Sequence, residues 1–213
     1  MDTWAPVVRW AHEGVGGWTN DAGTLALNTS GGPLTGQSNL RATGTSTDTA
    51  AHEVAGNQWT DAYGEALLFP SNFSGNTNRK IGVWLRVASS SNCYTIVADG
   101  GVGGNGNMTI SKVVAGTPTA LGTTTFSIGD VTSSVAVRGE AQGDWLRAYW
   151  RGQLVLALQD TTFTGPGFVS LFMRANTTAA DVQAMRWEAG PLRPTLAAPY
   201  TQVGAPLPRR RLR

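Results

Sequence analysis

Two pairs of acidic residues lie close together in the sequence and could take part in acid–base chemistry. They are Glu140 with Asp144 and Glu53 with Asp61. Cleavage of a glycosidic bond needs one carboxyl group as a general acid and a second as a base or nucleophile. Both pairs fall in segments typical of turns or loops, where exposed acidic residues are ordinary. The sequence therefore predicts no catalytic pair, and we expect the protein not to be an enzyme.

Other reactive groups are also scarce. The chain has two histidines, His12 and His52, and a single cysteine, Cys93. These are too few for a three-histidine metal site or a thiolate zinc cluster. The sequence contains no G-x-S-x-G motif for a serine nucleophile. Cys93 lies in a predicted strand without a basic neighbour in sequence, a pattern typical of a buried structural cysteine.

A glycine-rich segment, residues 101–106 (GVGGNG), formally satisfies the dinucleotide-binding pattern G-x-G-x-x-G. A dinucleotide site needs a helix directly after this pattern, because the N-terminus of that helix binds the pyrophosphate. Here the following residues 108–112 (MTISK) have the composition of a strand. The segment is therefore predicted to be a turn between strands.

Aromatic and arginine side chains are the remaining candidates for ligand contact. Aromatic rings on loops or on the polar side of a strand can stack on sugar rings or contact a protein partner. Arginine beside such rings suits flat or ring-shaped partners. Three other tryptophans, Trp18, Trp150 and Trp187, are predicted to be core. The predicted glycan- or partner-binding residues are Trp59, Tyr63, Trp84, Arg86, Arg147 and Tyr149.

The elements that would position these side chains are short β-strands. Turn signals recur about every 8 to 12 residues, the spacing of a sandwich or barrel. Residues 7–10, 24–28 and 39–45 predict three early strands, and residues 45–63 predict a long loop. The later part predicts ten strands: residues 65–69, 80–88, 93–99, 108–114, 119–126, 135–139, 145–150, 154–159, 168–174 and 182–188.

Alternation of apolar and polar residues assigns faces within these strands. In the strand at 80–88, Val83, Leu85 and Val87 are predicted to face the core, while Trp84 and Arg86 face outward. The same rule places aromatic and arginine residues together on the outer phase of the strands at 145–150 and 168–174. One face of each sheet is therefore predicted to be core and the other a binding surface.

The amino-acid composition argues against nucleic acid and membranes as partners of the main domain. Charged residues make up 14% of the 213 residues, well below the usual ~25%. The formal net charge is +2, but four of the sixteen basic residues lie in the last five positions. The rest of the chain is slightly negative, so the main domain is not expected to bind nucleic acid. No run approaches the ~20 apolar residues that cross a membrane, so no membrane insertion is expected.

We predict one domain over residues 1–190 and an extended arm over residues 191–213. Five prolines interrupt the arm, and each removes a backbone donor that a sheet would need. The arm ends in basic residues that could bind carboxylates of a partner protein: Arg209, Arg210, Arg211 and Arg213.

Several segments resemble a known fold. Residues 83–87 (VWLRV), 90–94 (SSNCY), 110–116 (ISKVVAG) and 146–156 (LRAYWRGQLVL) resemble the concanavalin A-like, or laminin G-like, jelly roll of lectins, glucanases and phage structural proteins. Residues 13–18 (EGVGGW), 23–25 (GTL) and 38–43 (SNLRAT) are similar to the opening of carbohydrate-binding jelly-roll modules in phage minor tail proteins. Residues 187–190 (WEAG) and 198–200 (APY) are similar to the way those modules end.

This resemblance implies an all-β fold, an antiparallel β-sandwich of the jelly-roll type. It implies a non-enzymatic structural protein of a tailed-phage virion, a minor tail or capsid decoration component, bound to other virion proteins and forming a homo-oligomer. The N-terminus lacks the basic start and apolar run of a secretory signal. We therefore expect synthesis in the host cytoplasm and location in the virion.

Two alternatives remain. The first is a glycan-binding adhesion module that contacts host surface sugars. The second is a glycoside hydrolase-like enzyme, although glucanases of this fold use a strand of alternating acidic residues that this chain lacks.

Jelly rolls of this type often bind calcium. Asp99, Asn105 and Asn107 could offer loop oxygens, but a tight calcium site needs several carboxylates. We expect no cofactor and leave calcium as an alternative.

Overall fold

The computed structural model describes residues 58–68, 73, 75–129, 134–176 and 182–192 in full, and the backbone of five earlier strands. Those early strands are β1 (Val8–Trp10), β2 (Trp18–Ala22), β3 (Leu25–Asn28), β4 (Asn39–Ala42) and β5 (Thr49–Glu53). The arm residues from 193 onward, including Arg209, Arg210, Arg211 and Arg213, lie outside the described residues.

Ten longer strands follow, and they correspond closely to the ten predicted ones. They are β6 (Ala62–Leu68), β7 (Lys80–Ser89), β8 (Asn92–Asp99), β9 (Asn105–Val114), β10 (Thr117–Ser127), β11 (Val135–Gln142), β12 (Trp145–Trp150), β13 (Gln153–Gln159), β14 (Phe168–Arg174) and β15 (Gln183–Pro191). The described part contains no helix, hence none that could cross a membrane.

The strands form two antiparallel sheets. The eight-stranded sheet has the order β13-β12-β11-β6-β15-β4-β3, and β1 also pairs with β15. The seven-stranded sheet has the order β10-β9-β8-β7-β14-β5-β2. Strands that are distant in sequence therefore lie side by side, which confirms the predicted all-β sandwich.

The core lies between the sheets. Val83, Ile96 and Ile110 enter it from the seven-stranded sheet, and Leu146 and Trp187 from the eight-stranded sheet, all at most 1% exposed. Trp150 is 3% exposed and is also core, so two of the three tryptophans predicted to be buried are confirmed. The side chain of Trp18 lies outside the described residues.

The predicted loop over residues 45–63 is partly wrong. It contains the strand β5, which pairs with both β2 and β14, and β6 begins within it at Ala62. The sequence of β5, TAAHE, has short and polar residues that give a weak strand signal. Pairing on both sides explains why it forms a strand nevertheless.

Two hairpin turns share the same backbone conformation. Between β12 and β13, Arg151 and Gly152 both have positive φ, at 54° and 77°. Between β9 and β10, Ala115 and Gly116 repeat this arrangement, at 49° and 81°. Two successive positive φ values define the tight turn whose twist matches that of antiparallel strands.

A polar cluster ties β8 and β9 to the segment after β13. The Tyr94 hydroxyl donates to Asp160 Oδ1 at 2.7 Å and accepts from the Phe163 backbone N–H at 2.9 Å. Lys112 Nζ donates to Asp160 Oδ2 at 3.1 Å and to Thr162 Oγ1 at 2.8 Å. Because Tyr94 itself is fully buried, this cluster satisfies a hydroxyl that burial would otherwise penalise.

Candidate functional site

A groove of about 390 Å³ lies on the outer face of the seven-stranded sheet, the face opposite the sandwich core. Strands β7, β8, β9 and β14 supply its floor and walls, and the hairpin after β9 closes one end. Because side chains alternate along each strand, the residues between the core positions point into the groove.

Cross-strand register sets the rows of side chains in the groove. In one row Phe172 pairs with Gly82, Gly82 with Val97, and Val97 with Thr109. In the next row Trp84 pairs with Thr95, and Thr95 with Ser111. Each row thus runs from an aromatic ring to hydroxyl groups.

The floor of the groove is apolar and aromatic. The rings of Trp84 and Phe172 stack with their centroids 5.8 Å apart and their planes 18° apart. They are 6% and 3% exposed and pack with Cys93 and Val113. Within the described part of the chain, no acceptor lies within hydrogen-bond distance of the buried Trp84 Nε1. The floor is therefore fixed, with one donor left unsatisfied.

One end of the groove is charged. Arg174 and Lys80 are direct cross-strand partners, and Lys80 is also the partner of Asp99. The Asp99 carboxylate accepts hydrogen bonds from the backbone N–H groups of Gly101 and Asn107, both at 3.0 Å, and from Asn107 Nδ2 at 3.2 Å. Asp99 thus holds the loop before β9 in place.

A second polar surface covers the outer face of the eight-stranded sheet. The guanidinium carbon of Arg138 lies 3.9 Å from the centre of the Tyr63 ring, and Arg138 Nε donates to Glu140 Oε1 at 2.8 Å. The Tyr149 hydroxyl donates to Glu140 Oε2 at 2.9 Å, and the Tyr63 hydroxyl donates to Glu188 at 2.5 Å. The charged and hydroxyl groups of this surface thus form a network of mutual hydrogen bonds.

Burial and hydrogen bonds to these carboxylates raise the pKa values of the tyrosines on this face. Burial, with the hydrogen bond to Glu188, raises the pKa of Tyr63 to about 12. Burial and the hydrogen bond to Glu140 also raise the pKa of Tyr149. Both hydroxyls are therefore protonated donors at neutral pH.

The predicted binding residues are divided between the two sides of the sandwich. Trp84 lies in the groove. Tyr63 and Tyr149 lie on the opposite side, with Arg147, whose guanidinium is 5.6 Å from the ring centre of the exposed Trp145. Trp59 is partly buried against the core and forms a backbone bridge with Gly167. The six residues do not form a single site.

The prediction that Arg86 lies on the outer face is wrong. Arg86 has φ of 50°, and the pairing of β7 with β8 shifts between Leu85 and Ser89. This bulge changes the alternation, so Arg86 becomes 3% exposed and Val87 joins Trp84 on the outer side. Arg86 donates to three backbone carbonyl oxygens: Thr60 at 2.9 Å, and Phe163 and Gly143 at 2.6 Å.

Three members of the two acidic pairs, Glu140, Asp144 and Asp61, do not line the groove. Glu140 belongs to the network on the other sheet, and Asp61 accepts from the Gly143 N–H at 2.9 Å. The side chain of Glu53 lies outside the described residues. Among the described residues that line the groove, Asp99 is the single acid.

Metal and nucleotide sites can be compared with the sequence predictions. The glycine-rich segment leads into strand β9, not a helix, which confirms its prediction as a turn. Within the described residues, no three His, Cys, Asp or Glu side chains cluster as a metal site. The calcium alternative at Asp99, Asn105 and Asn107 stays a prediction. The Asp99 carboxylate already accepts three hydrogen bonds from its own loop.

The sequence analysis missed several groove residues. These residues are Lys80, Thr95, Thr109 and Ser111. Of these, Thr95 and Thr109 carry a usable signal, because each lies between two buried residues of its strand. Phe172 and Arg174 were assigned to the outer phase of β14 but not to a site. What the sequence lacks is the pairing of β14 with β7.

Comparison with solved structures gives the fold. The structure is similar to the carbohydrate binding module CBM66 from Bacillus subtilis, with a TM-score of 0.57 at 19% identity over 80% of this chain and 91% of the module. It is also similar to the metal-free carbohydrate recognition domain of Emp46p, with a TM-score of 0.56 at 12% identity over 81% of this chain and 87% of that domain. A beta-glucanase from Bacillus licheniformis has a TM-score of 0.50 at 11% identity over 84% of this chain and 100% of the enzyme.

The chain has a lectin-like jelly-roll fold. No protein-family model matches the chain. No curated protein matches it either. The predicted fold class is thus confirmed for the described domain.

Proposed function

We propose that this jelly roll is a non-catalytic glycan-binding module and that the groove on the seven-stranded sheet is its binding site. The observation that carries the proposal is the composition of the groove. An aromatic floor formed by Trp84 and Phe172 meets hydroxyls of Thr95 and Ser111 on neighbouring strands. Side-chain hydroxyls bind sugar hydroxyls, and the two buried rings give the groove an apolar base with a small exposed part that can contact the C–H groups of a sugar.

Two of the similar structures support this proposal, because one is a carbohydrate binding module and the other is a carbohydrate recognition domain. The third is a glucanase, so the fold by itself does not separate binding from cleavage. The single carboxylate among the described lining residues favours binding, because glycoside cleavage needs two carboxyl groups flanking the bond.

A glycan array and calorimetry test the proposal. Replacing Ser111 by Tyr fills the groove from a partly exposed position and leaves the aromatic floor in place, so we expect it to abolish binding. Trp84→Ala removes the floor, but it also opens a cavity in the packed cluster. Tyr149→Ala, on the opposite side of the sandwich, is the matched control and should bind like the unmodified protein.

Two results would contradict the proposal. Binding that survives Ser111→Tyr but is lost in Tyr149→Ala would move the site to the eight-stranded sheet. An array without any bound glycan would remove the proposed function.

The predicted role in a phage virion, with virion protein partners and a homo-oligomeric state, stays a proposal from the sequence resemblance. None of the three similar structures is a virion protein, so they support glycan binding better than assembly. The two roles are compatible, because a displayed module can also be anchored by its arm. Deleting residues 205–213 should prevent incorporation into particles while the isolated domain keeps its glycan binding.

A further inference from the structure

We propose that the side of the sandwich formed by β10 and β13 is a dimer interface between two copies of this chain. β10 is the terminal strand of the seven-stranded sheet and β13 that of the eight-stranded sheet, and the two are in contact. We call this surface the side wall. Among the described strands, none pairs with the outer edge of either one. Both edges therefore present backbone N–H and C=O groups that a further strand can bind.

Neither strand of the side wall contains a charged residue. The sequences are TPTALGTTTFS for β10 and QLVLALQ for β13. Each of the other eight strands from β6 to β15 contains at least one Asp, Glu, Lys or Arg. Natural proteins place charged residues on edge strands to prevent pairing. In this part of the chain the interior strands carry the charges, and the two edges are left open to association.

Apolar side chains of the core reach the side wall. Leu121, Leu156 and Leu158 pack against the core, but each stays partly exposed. Gly122 lets the two sheets approach at this edge, because a Cβ atom there would lie 2.9 Å from Leu158 Cδ2. Leu154 at the start of β13 is 54% exposed. A second copy would cover apolar surface that this chain leaves accessible.

One bulge in each edge strand limits the length of the pairing. Leu121 is the extra residue of β10 opposite β9, and Val155 is the extra residue of β13 opposite β12. A bulge interrupts the ladder of hydrogen bonds. Residues 156–159 remain as a regular stretch of β13, so the contact between copies is expected there.

This regular stretch suits antiparallel pairing with itself. Ala157 pairs with Arg147 on the outer face and is exposed, whereas Leu156 and Leu158 face the interior of the sandwich. Directly opposite residues of an antiparallel pair lie on the same face of a sheet. A twofold axis at Ala157 therefore sets Leu156 against Leu158 of the partner subunit. Identical surfaces meet in this contact, as a twofold dimer requires.

The size and composition of the side wall fit a second copy. β10 is about 36 Å long at ~3.3 Å per residue, and two stacked sheets are roughly 20 Å thick. Such a wall can bury roughly 700 Å² on each copy, near the ~800 Å² per partner of a stable interface. An acidic or basic partner would find no complementary charge on either strand.

The dimer carries both grooves on the same side. Antiparallel pairing of two β13 strands needs a twofold axis perpendicular to the sheet, and this rotation leaves the outer face of each seven-stranded sheet pointing the same way. The dimer can then bind a long glycan through two grooves and a short one through a single groove. This consequence rests on the proposed function, whereas the interface itself does not.

Analytical ultracentrifugation of the full chain tests the interface. We expect the mass of two chains of 22.4 kDa each at micromolar concentration. Ala157→Lys sets two like charges against each other at the twofold axis, and its exposed position lets the single chain fold. The dissociation constant should rise at least about 100-fold. Ala88→Lys, at an exposed position three strands from β10, is the matched control and should leave the dimer unchanged.

A cysteine variant locates the contact. Cys93 is the single cysteine of the chain and is buried, so Ala157→Cys adds one accessible thiol. Directly paired residues have Cα atoms about 4.5–5.5 Å apart, within the range that a disulfide spans. Mild oxidation should give a covalent dimer of Ala157→Cys and none of Ala88→Cys.

Hydrogen exchange separates a second copy from other covers of the edge. The amides of residues 156–158 should become protected as the protein concentration rises. Protection in a monomer would show that another part of this chain covers β13, and it would overturn the proposal. A monomer at every concentration, or a dimer that Ala157→Lys leaves intact, would overturn it too. A monomer that binds glycan keeps the proposed function, and a dimer that binds no glycan keeps the interface.

Discussion

Gly64 and Gly139 lie directly opposite one another on β6 and β11, and Val83 of the facing sheet occupies the space above both. A Cβ atom at Gly139 would lie 2.2 Å from Val83 Cγ2, and one at Gly64 would lie 2.6 Å from Trp187 Cη2. The two sheets approach closely here because neither glycine has a side chain. Both positions therefore need glycine for packing reasons, without a positive φ.

Gly139→Ala should lower the free energy of unfolding by about 1–3 kcal/mol, the cost of overpacking a core. Urea unfolding measures this change. Gly165→Ala is the control, because nothing lies within 4 Å of its added Cβ. The double variant with Val83→Ala and Gly139→Ala should lose less free energy of unfolding than the sum of the losses in the two single variants. A loss equal to that sum would contradict the proposed contact between the two residues.

Arg86 holds three chain segments together through backbone carbonyls. Arg86→Lys keeps the charge but cannot reach Thr60, Gly143 and Phe163 at once, so we expect a loss of about 3 kcal/mol or more. Thermal and urea unfolding give the value. Arg186→Lys, on an exposed side chain, should change stability by no more than about 0.5 kcal/mol. Equal effects of the two changes would exclude the anchoring role of Arg86.

Asp160 should make the free energy of unfolding depend on pH in the acidic range. Burial would raise the pKa of Asp160, but hydrogen bonds from Thr162, Tyr94 and Lys112 outweigh it and hold the pKa well below its usual value. A depressed folded-state pKa gives stability that is complete above the unfolded pKa of about 4 and is lost as pH falls below it. Urea unfolding between neutral pH and pH ~2 should show this loss, and Asp160→Asn should show a shallower one. An unchanged acid slope in Asp160→Asn would argue against the cluster.

Two tyrosines should ionise late. Burial raises the pKa of Tyr94 to about 12, as it does for Tyr63. The folded state favours the protonated phenols, so their contribution to stability is complete below about pH 10 and is lost as the pH rises toward 12. In an ultraviolet absorbance titration, Tyr63→Phe and Tyr94→Phe should each remove one late-ionising phenol. A single early transition for all tyrosines would contradict this assignment.

The sequence predicted the strands well where side chains alternate strictly. In β11, Val135 and Val137 are buried while Ala136 and Arg138 are partly exposed, as period-two alternation requires. The prediction failed at Arg86, because one extra residue in a bulge reverses the phase of those that follow. Such a bulge has no distinct sequence signal here.

The candidate site was only partly accessible from the sequence. Alternation predicts that Trp84 and Arg174 lie on the outer face of their strands. Because the two residues are far apart in the sequence, it does not predict that they line the same groove. Register between β7 and β14 brings Arg174 next to Lys80. Long-range strand pairing of this kind cannot be read from local composition.

The central position of β6 bears on how the chain folds during synthesis. Its neighbours are β11 and β15, and the hydrogen bond from Tyr63 to Glu188 spans 125 residues. A ribosome therefore releases β6 long before it has made the strand that covers its second edge. Until Gln183–Pro191 emerges, the nascent chain exposes an unpaired edge of β6, so folding is slow and aggregation is a risk until β15 has paired.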